Sequence, residues 1–253
     1  MAETAWSVDQ PVALAATPAA PRHAALVRVT HWLTTACFLA LLVSGLEIVV
    51  SHPRFYWGES GNVLTPALFS IPIPASRSTV STGFGYVLPD QNGWSRYLHF
   101  EAAWILVLTG ALYVIWGVVS GHFRKHLLPE ASDRSLQAFS RDLVRHLRFA
   151  RPAAADAWSY NLVQRLTYVL VIFVLVPLVI WTGLAMSPAF VSALPSTVTI
   201  LGGRQSARTL HFVVTLLLVA FVFVHVVKVW LAGFSARVTA MVTGAGAGKK
   251  GHQ

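Results

Sequence analysis

Four stretches of this chain are so long and so poor in charge that hydrocarbon is the solvent that suits them. They run over Val29–Val50, His99–Ser120, Leu166–Ser187 and Leu210–Leu231, and Glu47 and Glu101 are the only acids in or near them. A bilayer core about 30 Å thick is crossed by about 20 helical residues. Helices are the default spanning element, because nothing in hydrocarbon satisfies a free backbone amide. The alternation of membrane barrel strands is missing, so the expected fold is an all-α integral membrane protein, a four-transmembrane-helix bundle. Composition excludes the soluble alternative: 55 % of the 253 residues are hydrophobic and 11 % charged, against roughly 25 % charged in soluble domains.

Lys and Arg orient the bundle. Arg22, Arg28, Lys228, Arg237, Lys249 and Lys250 lie at the two termini, and the loop over 121–165 adds Arg124, Lys125, Arg134, Arg141, Arg145, Arg148, Arg151 and Arg165. The other two loops share Arg54, Arg77, Arg96, Arg204 and Arg208. Fourteen cations against five place both termini and the 121–165 loop in the cytoplasm by the positive-inside rule, and the 51–95 loop in the periplasm. The expected organisation is a disordered cytoplasmic tail over 1–27, the spanning domain over 28–233 and a cytoplasmic tail over 234–253. The segment Met1–Pro21 has no apolar core and reads as no cleavable signal peptide. The net charge of +9 needs no nucleic acid to explain it; anionic lipid is the expected partner. Cys37, the single cysteine, falls in mid-membrane and reads as core, and no C-x-x-C-H motif offers c-type haem attachment.

Ten histidines remain to be explained. His23, His52, His122, His126, His146 and His252 fall in tails or loops and read as solvated. His31, His99, His211 and His225 lie in or at the ends of the spans, where an ionisable group is costly and points to function. His31 opens the first span at its cytoplasmic end, while His99 and His211 open the second and fourth at the periplasmic end. His225 follows His211 by fourteen residues, about 21 Å along a helix and within about 40° of the same face. By depth, His31 pairs with His225 and His99 with His211. Two imidazoles facing each other can ligate a metal. Zinc asks for more protein ligands than that. A haem iron asks for two, and axial His–His is an electron-transfer arrangement.

Each histidine has a cation three residues nearer its membrane surface: Arg28, Arg96, Arg208 and, in reversed order, Lys228. Residues three apart share a helix face, so these are candidates for haem propionates; flanking cations are also common at span ends. Gly45 and Gly110 lie near the ligand faces, either to leave room for a macrocycle or to pack helices closely. Pro177 is expected to kink the third span.

With 28-RVTHW-32, 96-RYLHFEAAW-104, 160-YNLVQR-165 and the fourteen-residue interval in view, the chain resembles the di-haem cytochrome b subunits of Ni/Fe hydrogenases, formate dehydrogenases and thiosulfate reductases. The resemblance covers about Arg28 to Lys228. It implies two haem b groups on the four histidines, and a quinone, ubiquinone or menaquinone, bound near Asn161 with Tyr160 and Gln164 beside it; on sequence alone Asn161 could equally cap the third helix. It also implies a periplasmic redox subunit as partner, a molybdopterin enzyme among the candidates, in a bacterial inner membrane. The 51–95 loop is longer than in the formate dehydrogenase type. Two rivals stay open: a stand-alone haem b quinone oxidoreductase acting on a small oxidant or superoxide, and a haem-free proton-coupled membrane protein.

Overall fold

The computed structural model describes residues 23–62, 64–72, 79–81, 87–89, 93–128, 136–148 and 162–244. The tail before residue 23, much of the 51–95 loop, Tyr160, Asn161 and residues 245–253 lie outside the described residues. In chain order the elements are α1 (Ala25–Ser51), β1 (Arg54–Phe55), β2 (Phe69–Ser70), β3 (Thr79–Ser81), β4 (Val87–Pro89), α2 (Gly93–Val119), α3 (His122–His126) and α4 (Leu136–Leu147). They continue with α5 (Leu162–Leu170), a π-helical turn over Val171–Leu175, α6 (Val176–Leu184), α7 (Pro188–Ala193), α8 (Ser196–Thr199), α9 (Arg204–Leu231) and α10 (Phe234–Thr243).

Among the described residues four helices are long and apolar enough to cross a membrane: α1, α2, the combined span Leu162–Leu184 and α9. The chain is a multi-pass helical membrane protein. The helices open four to six residues before the apolar runs do. A helix continues through the polar interface as readily as through hydrocarbon, so Arg28, Arg96 and Arg208 lie within helices rather than ahead of them. The loops are also more ordered than a reading of apolar runs suggests. Two short antiparallel hairpins, β1–β2 and β3–β4, follow α1, α3 and α4 occupy the next connection, and α10 follows α9.

The spans are built inside out relative to a soluble bundle. Residues such as Leu39, Leu108 and Phe223 face outward, while α1 buries Thr30, Cys37 and Ser44, and α2 buries Ser95, Ala102, Thr109 and Gly117. Small side chains at roughly every seventh position let two antiparallel helices approach closely. The α1–α2 contact is accordingly the most extensive in the fold. The third span and α9 close the other side through Val171, Val214 and Leu218, with Phe38 of α1 against them. Pro177 has no N–H to offer, and the helix ahead of it widens: the Val176 N–H donates to Val171, five residues back. That π-turn is one of the usual responses to a proline inside a helix.

We call the end that holds Ala25 and Thr243 the N-terminal end, and the end that holds β1 and β2 the loop end. At the loop end the chain after β1 caps α9. Arg204 N–H donates to the Glu59 carboxylate at 3.0 Å, and Gln205 and Ser206 N–H donate to the Gly58 carbonyl at 2.9 and 3.2 Å. These are the N–H groups a helix start leaves without partners, and an acid there also suits the helix dipole. The Thr209 hydroxyl adds a 2.7 Å bond to the Tyr56 carbonyl. Backbones can meet so closely because Gly203 has φ +113° and a side chain there would begin 2.5 Å from the Gly58 carbonyl carbon. Gly203→Ala is therefore expected to lower stability by about 1–3 kcal/mol from backbone strain alone. Gly93→Ala, with nothing within 4 Å, should leave it unchanged. Thermal unfolding of the two purified variants in detergent measures the difference.

Candidate functional site

Helix α9 faces α1 at one level and α2 at another. The structure brings His31 and His225 to a ring-centroid distance of 6.4 Å, and His99 and His211 to 6.2 Å. All four line one partly open cavity of about 3190 Å³ that runs between the two ends of the bundle. Among the described residues no three His, Cys, Asp or Glu side chains converge on a metal position. Each pair therefore offers two protein donors, which suits a metal that brings its other donors with it. A metal–imidazole bond is about 2 Å and a ring centre lies roughly 1 Å behind its donor nitrogen, so imidazoles on opposite sides of one metal have centroids about 6 Å apart. Both pairs have that separation.

The loop-end pair is anchored from behind. His99 Nδ1 lies 3.0 Å from the Ser44 hydroxyl of α1, and His211 Nδ1 lies 3.0 Å from the Thr182 hydroxyl of α6. Gly45 and Gly183, the next residue in each case, bring backbone against the same rings: a methyl group there would meet His99 at 3.5 Å and His211 at 3.4 Å. Gly110 faces the cavity with nothing within 4 Å, so it makes room rather than a helix contact. Phe55, stacked on Phe69 at 4.7 Å and against Phe212 at 4.5 Å, covers this end and is 2 % exposed.

The other pair has different surroundings. His31 meets the edge of Trp32 at 5.2 Å, and His225 stacks on Phe221 at 5.8 Å with Tyr168 6.4 Å away. His31 Nδ1 is buried with no hydrogen-bond partner among the described residues. Helix α10 folds back on the start of α1, where Arg28 donates to the Val242 carbonyl at 2.8 Å and Trp32 Nε1 to the Met241 carbonyl at 3.3 Å.

Arg28, Arg96, Arg208 and Lys228 all line the cavity or lie at its ends. Arg208 donates to the Arg54 carbonyl and lies over the Phe55 ring at 5.2 Å. The Nε groups of Arg28 and Arg208 are buried without acceptors, one near each histidine pair. A buried charged donor left without an acceptor is costly, and an anionic group at either place would satisfy it. Desolvation holds the His52 imidazole below its ordinary pKa, and the charges of Arg96 and Arg208 act in the same direction. The loop end thus gathers positive charge. Of the residues predicted near a quinone, Gln164 lines the cavity beside Tyr168, toward the N-terminal end; Tyr160 and Asn161 lie outside the described residues.

The profile of a family described as prokaryotic cytochrome b561 matches residues 22–244. The chain belongs to the prokaryotic cytochrome b561 family. It is also 30 % identical over 214 residues, 83 % of this chain and 90 % of the other, to a protein of Azospira oryzae provisionally named as protein-methionine-sulfoxide reductase subunit YedZ1. The expected membership in a membrane cytochrome b family is borne out. The cytochrome is an electron-transfer protein of the membrane and takes haem b. The chain's own residues fit that group: imidazoles at the separation of axial ligands, glycine cradles behind two of them, and orphaned guanidinium nitrogens placed for carboxylates. Sequence reasoning missed Ser44 and Thr182 in this cytochrome. The signal available for them was the recurrence of a hydroxyl residue followed by glycine, 44-SG-45 and 182-TG-183, near the end of two spans.

Proposed function

We propose that this cytochrome is a di-haem conduit. His31 and His225 hold one b haem, His99 and His211 hold a second, and electrons pass between a quinone at the N-terminal end and a redox enzyme docked at the loop end. The observation that carries the reading is the presence of two histidine pairs of nearly equal separation at two depths of one bundle, both drawing on α9. Bound there, each haem would supply a one-electron iron couple, and two histidines from the chain at each site would suit electron transfer rather than oxygen chemistry.

The chain's part is to hold, orient and insulate. The imidazoles hold each iron, and Gly45, Gly110 and Gly183 leave space beside the ligand rings. Arg28 and Lys228 at one end, and Arg96 and Arg208 at the other, take the propionates in charge-assisted hydrogen bonds. Outward-facing apolar side chains keep water from both sites. Gln164 supports a quinone site near His225, because its amide can hydrogen-bond a quinone oxygen while Tyr168 and Phe221 lie beside His225; the family resemblance assigns Asn161 and Tyr160 to the same quinone.

The excess of cations in the termini and the 121–165 loop supports an N-terminal end in the cytoplasm and a loop end in the periplasm, and a bacterial inner membrane is the setting of this reading. The loop end exposes Trp57, Leu64, Leu68 and Ile200, and an apolar surface of this kind suits a protein partner. The name of the Azospira relative supports an oxidoreductase as that partner. A molybdopterin enzyme is the class we assign.

Two measurements test this. Haem per chain, by absorbance of the extracted haem, is expected to be two in the wild type. It should fall to one in His99→Ala, His211→Ala, His31→Ala and His225→Ala, remain one in the His99/His211 double variant, and vanish when one ligand is removed from each pair. One haem in the wild type, or a double variant with none, contradicts the pairing. Separately, Gln164→Leu and Asn161→Leu should slow reduction by a quinol about tenfold or more at unchanged haem content, as expected when a buried polar contact is lost. An unaltered rate would remove the quinone from this end.

A further inference from the structure

Ser44 and Thr182 are fully buried, lie on different spans, and do the same thing. A hydroxyl has one hydrogen to give. That of Ser44 goes to its own helix, to the Ala40 carbonyl at 2.7 Å and Leu41 at 3.2 Å. That of Thr182 goes to Leu178 at 2.8 Å and Val179 at 3.0 Å. Toward the histidine each oxygen therefore presents a lone pair, 3.0 Å from Nδ1 in both cases. The proton must sit on Nδ1, which leaves the Nε2 lone pair of both rings for iron.

Such a bond does more than orient. Acceptors behind a ligand's second ring nitrogen draw on its proton, make the imidazole a stronger donor to the metal and favour the more positive oxidation state. At the N-terminal end His31 has no acceptor at Nδ1 among the described residues. His31 thus differs at that atom from both loop-end histidines.

We infer that Ser44 and Thr182 are positioning residues that hold His99 and His211 with the proton on Nδ1, and that they lower the reduction potential of the loop-end site alone. The inference rests on the haem assignment above. Each site takes one electron, iron(III) to iron(II), and no bond to a ligand forms or breaks.

The test is a redox titration of the purified, haem-loaded full chain, followed by haem absorbance, for the wild type, Ser44→Ala, Thr182→Val and the hydroxyl-retaining Thr182→Ser. Haem content should be unchanged. In Ser44→Ala and Thr182→Val one reductive step, the one that His99→Ala eliminates, should move upward by a roughly tenfold change in the ferric–ferrous equilibrium, about 59 mV for one electron. The other step should stay in place, and Thr182→Ser should titrate as the wild type does. Steps that do not move, equal movement of both, or a Thr182→Ser shift as large as that of Thr182→Val would overturn the inference. If Ser44→Ala fails to retain haem, the two Thr182 variants decide. A His99→Ala protein with its full haem content would instead refute the haem assignment, so the two failures are distinguishable.

Discussion

An imidazole in hydrocarbon needs something to do with both of its ring nitrogens, because no water is there to take them. That requirement organises this bundle. Helix α9 carries two imidazoles fourteen residues apart on nearly one face, so two other helices must each bring a histidine to it, one at each level. Helices α1 and α2 do so from opposite ends, which requires them to be antiparallel and in close contact. The small buried residues Thr30, Cys37 and Ser44 of α1 and Ala102 and Thr109 of α2 suit that approach. At the loop end the contact also supplies Ser44, whose oxygen serves the histidine of the neighbouring helix. Packing and ligand support are here one set of contacts.

The register of α9 has to be fixed for two levels to match at once. A slide of one residue is about 1.5 Å, enough to spoil a metal site. The Gly58 carbonyl, the Glu59 carboxylate and the Tyr56 carbonyl hold its first turns, and the fold of α10 onto Arg28 and Trp32 ties its far end to α1. Both ties lie at the ends of the spans rather than at their middles. The loops thus set the geometry of a site buried in the spans.

Much of this was legible from residues. Apolar runs of about 22 residues have few alternatives, and a fourteen-residue interval between histidines has a fixed meaning on a helix. The depth of His31 and His99 followed from which end of a span each occupies. What escaped were features that exist only between helices. A serine or threonine in an apolar run reads as a tolerated residue bonding its own turn, and Ser44 and Thr182 do make that bond. Their second role appears once the opposite helix is in place. Apolar runs mark hydrocarbon rather than helix, and the helices carry on past them to include Arg28, Arg96 and Arg208. The hairpins after α1 and the return of α10 depend on contacts distant in sequence, such as Gly58 with Gly203. The π-turn before Pro177 gave no local sign beyond the proline itself.

The two ends of the cavity differ in a way that bears on what each can exchange. At the loop end Phe55, Phe69 and Phe212 stack over the site, Arg208 lies on Phe55, and both histidines are anchored through Nδ1. An aromatic cover of this kind excludes water and small molecules while leaving only packed rings between the site and a docked protein. Electrons need only short packed distances, so a covered end suits a protein partner. At the N-terminal end Gln164, Tyr168, Lys125 and Asp142 line the cavity together, and His31 Nδ1 has no hydrogen-bond partner among the described residues. Polar groups able to meet a head group that gains or loses protons are gathered at that end. In the proposed reading, chemistry that moves atoms belongs where the cavity carries polar groups, and chemistry that moves only electrons belongs under the aromatic cover. That division follows from the walls of the cavity rather than from the ligands, which are the same four imidazoles throughout.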